Sequence, residues 1–359
     1  MNALEDRNKR IIEAVLQKEK TLCPGAVALI GIYGSFLTGD IHPLSDLDLL
    51  ILINDDRGWQ LGTGFIQDDL GVGHDIYCTS WDSLREDACF TSPHIAKLMD
   101  SRIVYCSDES YRTELEKLRD QVRKILAEPF GEADLQKAEN ELKEARCCYA
   151  EAMTAENLST VRRHAGGTIY YAENAVALLN KRYFRRGAKN RYEELNAMER
   201  RPEDLCGMIE DILKATSVPY IKEKLTRLMK ELNLCFHKAG QSLSPAKKPA
   251  SPETLSGTYE EMFSNWHGKM ALAAERGDRH LAFTSLENLN EMLADIGSEV
   301  DIGTYDALSV YDPGDLQKTA QGFDTILQTY LQEYDRAGLK PKRFPDIDAF
   351  IAAYLNPET

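Results

Sequence analysis

Tyr33-Gly34-Ser35, ten further residues, and then Asp46-Leu47-Asp48-Leu49-Leu50-Ile51 form the stretch on which the reading of this chain depends. An apolar β-type run, AVALIGIY from Ala26, leads into it and a second, LLILI, leads out, so it reads as strand, tight turn, loop and strand. The spacing puts both aspartates on the second strand. Side chains alternate faces along a strand, so Asp46 and Asp48 share one face while Leu47 and Leu49 enter the core. Two carboxylates in one small space raise each other's pKa, and a divalent cation removes that cost. Oxygen-only ligands suit Mg²⁺ or Mn²⁺, which complete their shells with water and substrate phosphates. Gly34 lets the backbone come close, and the amide and hydroxyl that follow at Ser35 can donate to phosphate oxygens. The bland alternative is a solvated loop between two core strands.

This arrangement resembles the nucleotidyltransferase superfamily typified by DNA polymerase beta and by the bacterial aminoglycoside and lincosamide nucleotidyltransferases. The family pattern is an apolar residue, Gly, Gly or Ser, a spacer of similar length, then Asp, an apolar residue and Asp or Glu, here with Ser45 directly before the first Asp. The resemblance implies an α+β chain: a small mixed-sheet catalytic domain over residues 1–130, then a helical bundle over 131–242. It implies an Mg²⁺- or Mn²⁺-dependent transfer of a nucleoside monophosphate, AMP from ATP, onto a hydroxyl of a small-molecule acceptor such as an aminoglycoside-like antibiotic. Gly34, Ser35 and Ser45 would then serve the nucleotide, and Asp46 and Asp48 the metal. The family places a third acidic residue on a neighbouring strand, as metal ligand or as the base for the attacking hydroxyl. Asp75 suits by position, in the β-type run Gly71–Cys78, and a solvated edge-strand Asp is the alternative. His74 falls on the opposite face, and Asp68-Asp69 reads as a solvated loop.

The resemblance departs at one point. Family members often carry a basic residue soon after the Gly-Ser pair, and Phe36-Leu37-Thr38-Gly39-Asp40 supplies none. The run from Lys181 to Arg191, with six basic residues in eleven, could take over contact with the triphosphate, Lys189 foremost; the ordinary meaning of such a run is a solvated helix C-terminus.

Composition narrows the class. The 359 residues are 43% hydrophobic and 28% charged, as in a folded soluble protein. A formal charge of −15 argues against sequence-independent binding of nucleic acid and suits a cationic substrate. The eight cysteines show no C-x-x-C pair and read as thiols. The charged, helix-patterned N-terminus lacks a signal region and no stretch has the length of a membrane span, so a cytoplasmic protein without a membrane partner is expected.

Along the chain, residues 2–20 pattern as an amphipathic helix, residues 100–106 as a short strand, and the catalytic part ends near Pro129-Phe130-Gly131. Helices are expected over 133–155, 158–183, 202–215 and 219–239, then a Gly/Ser/Pro-rich linker over 240–257. A C-terminal helical domain over 258–359, with helices at 258–276, 280–296, 314–336 and 346–355, is left to acceptor recognition or to self-association as a homo-oligomer. Two other functions fit the same residues. One is transfer onto a protein side chain; the other is a catalytically weak nucleotide-binding or antitoxin-like interaction protein on the same fold.

Overall fold

Every residue of Val27–Ile32 and Leu49–Ile53, within the two apolar runs flanking the motif, is buried, which is what a central strand covered on both faces requires. The computed structural model describes residues 2–42 and 44–355. Its first elements are α1 (Asn2–Leu22), β1 (Val27–Ile32), α2 (Ser35–Thr38), β2 (Leu49–Ile53), β3 (Thr63–Gln67), β4 (Val72–Ile76), β5 (Cys78–Ser80), α3 (Trp81–Ala88), α4 (Ala96–Met99), β6 (Arg102–Cys106) and α5 (Glu109–Ala127). Helices α6 (Glu132–Thr154), α7 (Leu158–Leu179), α8 (Arg191–Asn196), α9 (Leu205–Lys214) and α10 (Val218–Leu243) follow.

The sheet has the order β5-β2-β1-β6, with β1 antiparallel to β2 and β6, and β2 parallel to β5. The period of two along β2 sorts its side chains cleanly. Leu50 and Leu52 pack toward α3, α4 and the helices beyond, whereas Leu49, Ile51 and Ile53 join Val15 of α1 on the other face. The first face continues into the bundle without a break, so one core runs from Leu29 and Leu50 through Leu115 and Leu142 to Val176 and Leu228. This is an α+β architecture, a small mixed sheet followed by a large helical region.

Buried Arg119 of α5 braces the segment before β6. It donates to the carbonyls of Leu98 at 2.8 Å and Ser101 at 2.5 Å, and to Ser101 Oγ at 3.0 Å. Arg119→Met keeps the side-chain length but orphans those acceptors, so a loss of about 2–4 kcal/mol is expected in urea unfolding.

Several boundaries differ from the sequence reading. The β-type run over 71–78 is split: β4 pairs with β3 in a separate hairpin, and β5 alone joins the main sheet. Helix α7 stops at Leu179 because Asn180 turns its amide back onto the Val176 carbonyl and Lys181 takes a positive φ of 51°. Helix α10 runs through Leu243, shortening the linker. The chain divides into two compact units, Met1–Ser244 and Pro245–Thr359. The second contains β7 (Lys248–Pro249), α11 (Pro252–Leu255), α12 (Thr258–Met262), α13 (Gly268–Arg276), α14 (Arg279–Glu299), β8 (Val300–Asp301), α15 (Leu316–Arg336) and α16 (Ile347–Leu355). One π-turn over Phe263–His267 interrupts the helix expected across 258–276. Its core is its own, built on Tyr259, Leu286, Phe323, Tyr330 and Tyr334. Among the described residues no helix is long and apolar enough to cross a membrane.

Candidate active site

The turn after β1 is shaped around one carboxylate. Gly34 has φ 71° and ψ −149°, and a Cβ built there would stand 1.9 Å from Asp48 Oδ2, so only glycine fits. The Gly34 carbonyl accepts the amides of Leu37 and Thr38, starting α2. The two aspartates precede β2 instead of lying on it, because the ladder with β1 begins at the pair Ile32 and Leu49. Tyr33 nonetheless donates its amide to the Asp48 carbonyl at 3.1 Å, and the alternation persists: Leu47 is buried, Asp46 exposed and Asp48 half-buried. Burial, and then the charge of Asp46, push the Asp48 carboxyl above its ordinary pKa; the Ser35 amide and the Lys189 ammonium pull it down. A hard cation fits this donor set. Among the described residues no group of three His, Cys, Asp or Glu side chains converges on one point, so Mg²⁺ or Mn²⁺ here would draw the rest of its shell from water and phosphate.

The other wall comes from the helical region. Tyr33, Gly34, Ser35, Asp46 and Asp48 line a cleft of about 400 Å³ together with Phe184, Arg185, Arg186, Gly187, Ala188, Lys189 and Arg191. The basic run is therefore a loop over the Asp pair, not the end of a helix. Its cations have different commitments. Arg186 forks onto Asp40 at 2.7 and 3.0 Å and also pairs with Glu193, so it ties the loop to the Gly-Ser turn. That pairing holds the Asp40 carboxyl well below its ordinary pKa. Arg185 pairs with Asp100 at 3.2 Å. Arg191 lies over the Phe184 ring, 3.4 Å from its centroid, and pairs with Glu173, whose carboxyl burial nonetheless pushes up to about 6. Lys189 makes no ion pair at salt-bridge distance among the described residues; its ammonium lies 2.8 Å from His42 Nε2 and acts on Asp48 from farther off.

A shallower cleft adjoins the first and shares Asp46 with it. Asp75 lies there, exposed on the hairpin with Phe65, Ile66, Asp68 and His74, so the structure brings it beside Asp46 but not into the pocket with Asp48. His74 is buried and stacks on Phe65 with centroids 4.7 Å apart, its pKa lowered by burial and by Arg7. Ser45 is occupied structurally. Its Oγ accepts the His42 amide at 3.0 Å and its carbonyl accepts from Arg7 at 2.8 Å, which fixes the loop ahead of Asp46.

Sequence reasoning passed over His94, which lines the main cleft from the loop before α4. Asn174 donates Nδ2 to the Glu141 carboxylate at 3.0 Å, so its Oδ1 must accept from His94 Nε2 at 3.0 Å. His94 is thus fixed with its proton on Nε2, and burial and Arg191 lower its pKa. The Pro93-His94 pair carries no local signal, and its partner stands 80 residues away.

Residues 9–131 match the family model described as Nucleotidyltransferase domain. No curated protein matches the chain. Among solved structures, the chain is similar to a nucleotidyltransferase-like protein from Exiguobacterium sibiricum, at 11% identity over 82% of this chain and 92% of that one, with a TM-score of 0.35. A superposition that loose adds no weight. The Gly-Ser turn and the carboxylate pair both lie inside the matched segment, so residues 9–131 are similar to a nucleotidyltransferase domain at the positions that build this cleft.

Proposed function

We propose that the protein transfers a nucleoside monophosphate, AMP from ATP, onto a hydroxyl of a cationic, aminoglycoside-like small molecule in the cytoplasm. The observation that carries this reading is Lys189: a cation held in no close ion pair among the described residues, in the same cleft as Gly34, Ser35, Asp46 and Asp48. It supplies the positive charge that the segment after the Gly-Ser pair lacks. Asp46 and Asp48 would hold Mg²⁺ or Mn²⁺, which supplies charge neutralisation for the phosphates when bound. Gly34 and the Ser35 amide and hydroxyl orient the triphosphate, while Lys189 leaves His42 for a phosphate oxygen and stabilises charge gathering on the leaving pyrophosphate. The acceptor approaches along the neighbouring cleft, where Asp46, Asp68 and Asp75 attract its ammonium groups and Phe65 offers an apolar face. Asp75 takes the hydroxyl proton, the oxygen bonds to the α-phosphorus, and the bond to the β-phosphate oxygen breaks.

Thermal-shift titration with ATP, GTP, CTP and UTP, each with and without Mg²⁺, tests the nucleotide half, because a ligand of the folded state raises the melting temperature by mass action. One nucleotide is expected to give a magnesium-dependent shift. Lys189→Ala is expected to weaken that nucleotide by about 10-fold, the worth of one charge-assisted hydrogen bond. Equal affinity in Lys189→Ala removes the proposed phosphate contact.

A further inference from the structure

Within the second unit, helix α16 carries an apolar stripe left exposed by the described residues of that unit. Ile347, Phe350, Ile351, Tyr354 and Leu355 follow the i, i+3, i+4, i+7, i+8 spacing of one helix face, yet they are 67, 37, 45, 72 and 70% exposed. No residue of the helix is buried. Among the described residues the aromatic side chains meet one another: Phe344 and Phe350 have centroids 5.4 Å apart, as do Phe350 and Tyr354.

The segment leading into the helix is fixed. Lys342 donates its amide to Glu260 Oε1 at 2.7 Å, and Arg343 donates to Tyr259 Oη at 3.0 Å with its guanidinium 5.8 Å from the Phe263 ring centroid. Glu260 and Tyr259 belong to α12 and so anchor it to the core of the second unit. The stripe is therefore presented at a set place on a folded body, where a soluble protein seldom leaves so much apolar surface.

We propose that α16 is the contact through which two copies of this chain associate. The exposed area fits that occupant. Phe344 and the five stripe residues expose about 650 Å² per copy, so a pair burying them removes about 1,300 Å², within the range of a stable specific interface. The composition fits as well, with aromatic and aliphatic side chains at the centre and no charge among them. A membrane surface suits it less, since interfacial helices carry Lys or Arg on the polar face and the charged residues at this one are Asp346 and Asp348. Two short helices crossing antiparallel about a two-fold axis place Ile351 near the axis and Ile347 against Leu355 of the second copy. Such an isologous contact closes at the dimer.

Sedimentation velocity of the full chain tests this across about 1–50 μM, the range in which interfaces of this size associate. The wild type is expected to sediment at twice the 40.5 kDa chain mass. Ile351→Asp sets two like charges at the axis and is expected to weaken the dimer at least 100-fold, leaving monomer. Leu213→Asp adds the same charge to a 62% exposed leucine of α9 and is expected to leave the dimer intact. Both positions are exposed, and unchanged thermal melting of each variant shows that the fold survives. A monomeric wild type overturns the proposal, as does a dimer that persists in Ile351→Asp. A wild-type monomer that floats with phosphatidylcholine vesicles gives the stripe to a lipid surface instead.

Discussion

Asp48→Asn is expected to lower nucleotidyl transfer by about 10³-fold while raising the melting temperature of the nucleotide-free protein. The loss follows from the charge stabilisation a metal contributes, which is several kcal/mol, each factor of ten in rate being about 1.4 kcal/mol. The gain follows from the direction of the Asp48 pKa. A carboxyl whose pKa is raised in the fold is penalised when ionised, so this contribution to stability is most favourable below the ordinary carboxylate range. It diminishes as pH rises through the raised value and stays absent at neutral pH. Asparagine keeps the shape and deletes the penalty. Thermal melting of both proteins at pH 7, without metal or nucleotide, reads the gain; a lower melting temperature in Asp48→Asn would mean that its ionised carboxylate stabilises the turn after all.

Gly34→Ala is the second large effect, and it comes from geometry alone. The added methyl meets Asp48 Oδ2 at 1.9 Å and asks an L-residue to hold φ 71° with ψ −149°. One of the two must yield. If Asp48 swings away, the carboxylate pair is lost and magnesium-dependent nucleotide binding goes with it; if the turn re-forms, the Ser35 amide leaves Asp48. Either way transfer activity is expected to fall below detection, with a destabilisation of about 1–3 kcal/mol for the strained backbone. Gly39 offers the matching control. It also has a positive φ, 82°, but a Cβ there meets nothing within 4 Å, so Gly39→Ala bears the backbone strain while leaving Asp48 in place. Activity assays and urea unfolding of the two variants separate strain from the clash.

What the sequence made legible was what local chemistry determines. The strands β1 and β2 announced themselves because every residue in them is buried, and the long helices because their apolar residues recur with the helical period. The carboxylate pair needed only the alternation on either side of Leu47. The hairpin was misread because β3 is exposed along nearly its whole length, which leaves no alternation to find, and so Asp75 was assigned to a strand beside the aspartates. The end of α7 was missed because its stop is Lys181 at positive φ where a glycine usually stands. Lys189 was singled out by its charge, but its distinction from Arg185, Arg186 and Arg191 rests on which carboxylates the fold brings to each, and no local pattern encodes that. His94 belongs to the same class, oriented by Asn174 across 80 residues.

The most direct test of nucleotidyl transfer follows the label. The protein is incubated with Mg²⁺, a panel of hydroxylated polyamines and ATP labelled at either the α- or the γ-phosphorus, and the acceptor fraction is counted. The α-label is expected to reach an acceptor with release of one pyrophosphate per transfer, the γ-label is not, and Asp46→Asn/Asp48→Asn is expected to transfer neither. Transfer of γ-label, or α-label transfer undiminished in the double variant, would contradict nucleotidyl transfer at this site.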